Sequence, residues 1–462
     1  MKALRGMMAL VFAVCCLGVR PACAFDGGRY GPVKIVTPAT AARGLVILFS
    51  DRKGLTAEDD GAAKTISGAG ALVAEVNTPA YLKGLDRLDK SKEPCHVPEV
   101  DAEWLSRQIQ RELKFPNYLT PILAGTGEGA TVALMSLANA PAATIAGVVA
   151  LDPASTIRSR RPLCVSGHIR RRGRAYRYEV PKTLPGFCLI EFSPHEARRD
   201  RNYATDLKRE SAAFQVEEVA LHQSEGDALR ALIEPHLPKP KPRVHVTDIS
   251  GLPLDTLPVE HPSNVMAIVI SGDGGWRDID KTIAEDLQHD GVPVVGLDSL
   301  RFFWSKKTPE QTADALANVM RAFMDKWHAN NVALIGYSFG ADVMPFAYNR
   351  MPEDLRTHVK LIALMGFSKS ADWEITVSGW LGEPPGPAAL PVLPETDKIA
   401  PPLMQCFYGQ DESDSACPDL AKRGVQVIRT TGGHHFNGDY AALAREIMTR
   451  LEAPPERQAR VR

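Results

Sequence analysis

Residues 332–340 read Val-Ala-Leu-Ile-Gly-Tyr-Ser-Phe-Gly. An apolar run of strand length ends here in a turn with a glycine on each side of a serine. The pattern predicts a buried strand, a sharp turn that lifts Ser338 above the sheet, and a helix that begins at Ala341. Glycine is required at 336 and 340 because a side chain at either would clash within the turn. The helix start would also favour negative charge beside the serine. A strand–turn–helix of this kind belongs in a mostly parallel sheet covered by helices, which restricts the chain to an α/β fold.

The same pattern occurs twice. Gly44–Asp51 parallels Met266–Asp273, Ala71–Thr78 parallels Val292–Ser299, Ile122–Gly129 parallels Leu334–Gly340, and Ile145–Asp152 parallels Leu361–Phe367. Each half alternates apolar strands with helix-length segments. The expectation is two tandem α/β-hydrolase-like domains at 25–232 and 263–452. Between them lies a proline-rich stretch, 233–262, read as a linker plus an entry strand. Residues 453–462 are read as a tail. The first copy has Gly127 where the second has Ser338, so it keeps the turn, lacks the nucleophile, and is read as a dead domain retained for binding, docking or stability.

Residues 1–24 read as a secretory signal. Lys2 and Arg5 precede the apolar run Met7–Val19, which is too short to span a bilayer, and Ala22-Cys23-Ala24 offers a cleavage site after Ala24. The 462-residue chain is 44% apolar and 24% charged, and cleavage leaves it slightly acidic, so bulk charge does not attract nucleic acid. The basic runs Arg158–Arg161 and Arg170–Arg174 read as solvated loops or as a patch facing anionic headgroups. Five cysteines would remain. Cys406 with Cys417 is the best pair, Cys164 with Cys188 a weaker one, and Cys95 is left over. No C-x-x-C pair or ligand spacing calls for a metal, and no cofactor is expected.

A serine hydroxyl needs a base held by an acid, and in this fold the order is serine, acid, histidine. The strand at 403–409 ends in Gly-Gln-Asp-Glu, making Asp411 the first choice of acid, with Glu412 and Asp414 as rivals. The next strand and its loop carry His434 and His435, and the Gly-His-x-Phe form favours His434. Oxyanion donors are expected from the N–H of Phe339 and from Asp273 or Gly274 in the loop Ser271–Trp276.

Several of these motifs together resemble the bacterial virulence protein family VirJ/AcvB: Ser271–Trp276, Phe303-Trp304 with Lys307–Glu310, Gly336–Val343, Tyr408–Glu412 and Gly432–Asp439. The resemblance covers roughly residues 243–452, and the two-domain layout is similar to the longer members. It implies a periplasmic protein in peripheral contact with the inner membrane, with Ser338 as nucleophile. It also implies hydrolysis of lysyl-phosphatidylglycerol, or an adaptor role toward type IV secretion substrates. For such a substrate, Asp273, Asp298 and Asp342 are candidates to meet the lysyl ammonium groups, and Trp276 to touch the lipid. Phe302, Phe303 and Trp304, like Trp276, could sit at a lipid interface or pack in the core, and Gly382–Pro402 could form a lid.

Overall fold

The computed structural model describes residues 25–453 apart from 89–92, 166, 180–182, 193–199, 201, 204, 207–208, 210–213, 219–223, 239–248 and 377–387. The expected signal segment and most of the tail lie outside the described residues, as does part of the expected lid.

The chain folds into two sheets of matching order. The first sheet is built from β1 (Phe25–Asp26), β2 (Pro32–Val36), β3 (Gly44–Phe49), β4 (Ala71–Val76), β5 (Ile122–Thr126) and β6 (Gly147–Leu151). A small antiparallel sheet follows as an excursion: β7 (Ile157–Arg158), β8 (Ile169–Arg172) and β9 (Ala175–Tyr178). Strands β10 (Phe187–Phe192) and β11 (Phe214–Glu218) then return to the main sheet, whose order is β1-β2-β4-β3-β5-β6-β10-β11.

The second sheet contains β12 (Leu254–Leu257), β13 (Val265–Ile270), β14 (Val294–Leu297), β15 (Asn331–Tyr337) and β16 (Val359–Met365). A short ribbon of β17 (Ser370–Ala371) and β18 (Leu390–Pro391) precedes β19 (Met404–Gly409) and β20 (Gln426–Thr430). Its order is β12-β14-β13-β15-β16-β19-β20. Seven strands of each sheet correspond one to one, each with a single antiparallel strand, β2 or β12, against an otherwise parallel set. The tandem α/β-hydrolase-like arrangement follows from this order.

Continuous apolar strands form here because both faces are covered. Met266, Ile268 and Ile270 of β13 enter one core cluster while Ala267 and Val269 enter another on the opposite face. In β3, Leu45, Ile47 and Phe49 separate from Val46 and Leu48 in the same way. The period of two along each strand thus fills two layers at once.

The stretch expected as linker is shared between the domains. Ile233 and Leu237 are buried in the first domain's core, so that unit runs past residue 232. Leu254–Leu257 is the second domain's antiparallel edge strand. Cys406 is bonded to Cys417, and Cys95 to Cys164 rather than being left over. Cys188 lies unpaired in the middle of β10, where its side chain is buried. The loops carrying Cys95 and Cys164 are joined by a bridge between His96 and Leu163, a proximity that no local spacing announces.

The domains meet through the helix Pro98–Glu112 and the segment after it. The Trp304 ring packs on Tyr118 with centroids 4.9 Å apart, carries the Arg111 guanidinium at 3.7 Å, and donates from Nε1 to the Phe115 carbonyl at 3.0 Å. Phe302, Phe303 and Trp304 are buried, so the lipid-facing role considered for them does not hold: the first domain covers this face.

Candidate active site

Strand β15 delivers Ser338 to the apex of the turn. Its backbone sits at φ 51° and ψ −120°, a conformation costly for a residue with a side chain. The turn persists because its flanks are packed too tightly to relax. A Cβ at Gly336 would lie 2.6 Å from the backbone of Ala341, and one at Gly340 would overlap the Ile270 carbonyl. The Ser338 N–H donates to the Met365 carbonyl at 2.8 Å. The helix Phe339–Arg350 leaves from the apex.

Ser338 Oγ lies 2.8 Å from His434 Nε2, and His434 Nδ1 lies 2.6 Å from Glu412 Oε1. The acid facing the imidazole is therefore Glu412, a correction to Asp411. The reason is the turn at the end of β19. The Glu412 N–H donates to the Gly409 carbonyl at 3.0 Å, reversing the chain, and Glu412 Oε2 accepts the Gly409 N–H at 2.6 Å. That pins the 412 side chain across the strand end and leaves Asp411 and Asp414 exposed. His435 faces elsewhere: its Nδ1 lies 3.1 Å from the Tyr337 hydroxyl, which also sits 3.2 Å from the His434 carbonyl. Tyr337 and His435 thus support the loop that carries His434.

Two glycines that sequence reasoning did not single out make room here. A Cβ at Gly366 would lie 2.7 Å from His434 Cε1, and one at Gly272 would lie 3.2 Å from the Tyr337 ring. Both follow core strands, which is the only signal the sequence offers for them.

The N–H groups of Phe339, Asp273 and Gly274 have no hydrogen-bond partner among the described residues. They flank the serine on the helix side and the loop side, where an oxyanion would need donors. The loop is held from the first domain. Arg277 Nε donates to the Gly274 carbonyl at 2.7 Å, and its guanidinium pairs with Glu103, which also binds Arg107 at 2.7 Å. Glu103→Ala would leave two guanidiniums without their shared carboxylate, Arg107 among them and buried. Its expected effects are a loss of stability of about 3 kcal/mol and a fall in kcat of roughly tenfold, as the loop shifts against Ser338. Thermal melts and steady-state kinetics on a short-chain ester check both.

Burial pushes the His434 imidazolium down, but the Glu412 contact, with Asp342 and Asp273 nearby, outweighs it, and the net shift is upward. Burial and the neighbouring His434 both push His435 down. A base must be neutral to accept a proton, so activity is expected to rise with pH, with its acid limb centred above the ordinary histidine value of 6.5. A kcat/KM profile checks this, and Glu412→Gln should move the midpoint down.

The candidate substrate contacts divide. Asp273 is partly exposed beside the histidines. Asp342 is buried, accepts the Ser368 N–H at 2.8 Å, and is pushed up to about 8 by burial. Asp298 is 2% exposed; it caps the helix Ser299–Phe302 and pairs with Arg301, so it is committed to structure and not to substrate. Trp276 is 7% exposed in the core against the helix Asp278–His289, its ring over Gly296 of β14. It cannot serve as a lipid contact. Of the expected lid, residues 390–391 pair with β17 and Glu395 is tied to Asn349.

The first domain differs at the apex. Gly127 has φ +53°, and a Cβ there would overlap the Asp51 carboxylate, whose Oδ1 accepts the Glu128 N–H at 3.0 Å. The donor that corresponds to Phe339 is therefore occupied from within, and restoring a serine would meet a carboxylate.

No curated protein matches the chain. Among solved structures it is similar to the esterase domain of a Rhodothermus marinus protein (9% identity, 44% of this chain and 92% of that one, TM-score 0.28). It is also similar to Est1E from Butyrivibrio proteoclasticus (12%, 43% and 93%, 0.31) and to the Francisella virulence factor BioJ (9%, 42% and 72%, 0.29). These likenesses concern the fold alone. Residues 264–454, which hold β13 to β20 with Ser338, Glu412 and His434, match the model described as bacterial virulence protein (VirJ).

Proposed function

We propose that the chain is a serine ester hydrolase that removes the lysyl group from lysyl-phosphatidylglycerol at the periplasmic membrane surface. The observation that carries the hydrolase reading is the continuous relay from Ser338 Oγ through His434 to Glu412, set beside free N–H groups. The lysyl ester comes from the family resemblance. The periplasmic assignment rests on the expected signal segment and agrees with two disulfides.

Ser338 Oγ attacks the ester carbonyl carbon while His434 Nε2 takes its proton. The oxygen of the tetrahedral intermediate is met by Phe339 N–H and the 273–274 loop. The carbonyl–oxygen bond to the lipid glycerol breaks, and His434 returns the proton to the departing oxygen. Water, deprotonated by His434, then attacks the acyl-enzyme and frees lysine and Ser338. Glu412 holds the imidazole tautomer and offsets its charge. Asp273, at the mouth, is placed to attract the lysyl ammonium groups. Asp342 is deeper, and a bound cation would favour its ionised form.

The test is to add purified protein to vesicles containing lysyl-phosphatidylglycerol. Release of lysine and appearance of phosphatidylglycerol support the reading. Intact lipid, with a short-chain ester cleaved in parallel, leaves the hydrolase and removes this substrate. An adaptor would leave both uncut.

A further inference from the structure

A cavity of about 620 Å³ lies over the elbow of the first domain, the copy without the serine. Its size suits a small ligand. Asp51, Glu128 and Glu225 line it on the elbow side, with Arg52 and Lys53 next to Asp51. The rim is basic: Arg158, Arg172 and Arg174 line it, brought there by the β7–β9 excursion. Between β16 and β19 the second domain has instead the short β17–β18 ribbon.

Glu128 is the informative residue. It is 7% exposed, lines the cavity, and its carboxylate has neither hydrogen bond nor ion pair among the described residues. A buried carboxylate without a hydrogen-bonded ion pair is expensive, and burial together with Asp51 pushes its pKa up against the opposing pull of Arg158 and Arg52. The three rim arginines are exposed and likewise have no hydrogen-bond or ion-pair partner among the described residues. Charges of opposite sign thus face one another across an open space, and neither the Glu128 carboxylate nor the three rim guanidiniums are closed into a hydrogen-bonded ion pair among the described residues. No metal-binding group of three or more His, Cys, Asp or Glu occurs among the described residues, so the acids do not read as a cation cage.

We propose that this cavity is a non-catalytic site for a small zwitterionic ligand, with an ammonium group over Glu128 and Asp51 and an anionic group at Arg158, Arg172 and Arg174. A free amino acid and an aminoacylated phosphodiester headgroup share this chemistry. The site cannot cleave what it binds. Gly127 supplies no hydroxyl, and the N–H of Glu128, where an oxyanion would rest, is taken by Asp51.

The experiment uses the full chain carrying Ser338→Ala, so that nothing turns over and the result stands apart from the hydrolase reading. The probes are L-lysine in calorimetry and vesicles with or without lysyl-phosphatidylglycerol in flotation. Two variants are added to that background: Glu128→Gln, and the exposed pair Arg172→Ala with Arg174→Ala, which guards against a folding defect at the buried position. The expected result is a site whose lysine affinity falls at least tenfold in both variants at unchanged melting temperature. A matching loss of flotation assigns the headgroup as source; loss of lysine binding alone assigns the free amino acid. Binding unchanged in both variants, absent from the parent, or replaced by binding of Ca²⁺ that depends on Glu128 overturns the proposal.

Discussion

Ser338→Ala is expected to lower kcat for ester hydrolysis by about 10⁴-fold or more while the protein stays folded and substrate binding changes little. The argument is geometric. Among the described residues one hydroxyl stands 2.8 Å from His434 Nε2, and alanine removes it without altering the packing of Gly336 and Gly340 that holds the turn. The strained φ of 51° is unchanged by the substitution, since alanine meets the same backbone restriction as serine. A loss of that size with matched melting curves, measured on both a short-chain ester and the lysyl lipid, places the chemistry at this residue. Comparable rates in the variant would move it elsewhere.

Glu412→Gln is expected to cost on the order of 10³- to 10⁴-fold in kcat, and Asp411→Asn less than about threefold. The amide can still occupy the space beside His434 Nδ1, but it no longer offsets the positive charge that forms on the imidazole and can present its NH₂ to the wrong nitrogen state. Asp411 is exposed, and among the described residues only its backbone N–H is tied, to the Gly432 carbonyl at 3.0 Å. The paired result separates the two neighbours cleanly. A large loss in Asp411→Asn with near-normal Glu412→Gln would reverse the assignment.

What the sequence showed clearly was whatever depends on neighbours in the chain. The glycines around Ser338, the apolar core strands and the doubled strand pattern are local features, and they place the elbow and the two mostly parallel sheets directly. Where side chains depend on how loops meet, sequence reading loses its hold. Asp411 and Glu412 differ only in which way the turn after Gly409 directs them. Gly272 and Gly366 matter because of what approaches them from other strands. Trp276 and Trp304 looked like substrate or membrane contacts because aromatic residues near a site suit either role. One is packed on Gly296, and the other is buried where the first domain docks. Cys95 found Cys164 through two loops that no spacing rule connects. The first domain's role was the least legible part, since a missing serine says what it does not do. What the structure adds is Glu103, which reaches across to Arg277 and through it to the Gly274 carbonyl.

The most direct test of the central claim is peptide mass mapping after treatment with a fluorophosphonate, in which Ser338 Oγ would attack phosphorus and fluoride would leave. The account predicts a single adduct on the peptide containing Ser338, formed faster as pH rises through the His434 titration and absent in Ser338→Ala. An unmodified protein, or an adduct that persists at another residue in Ser338→Ala, would contradict it.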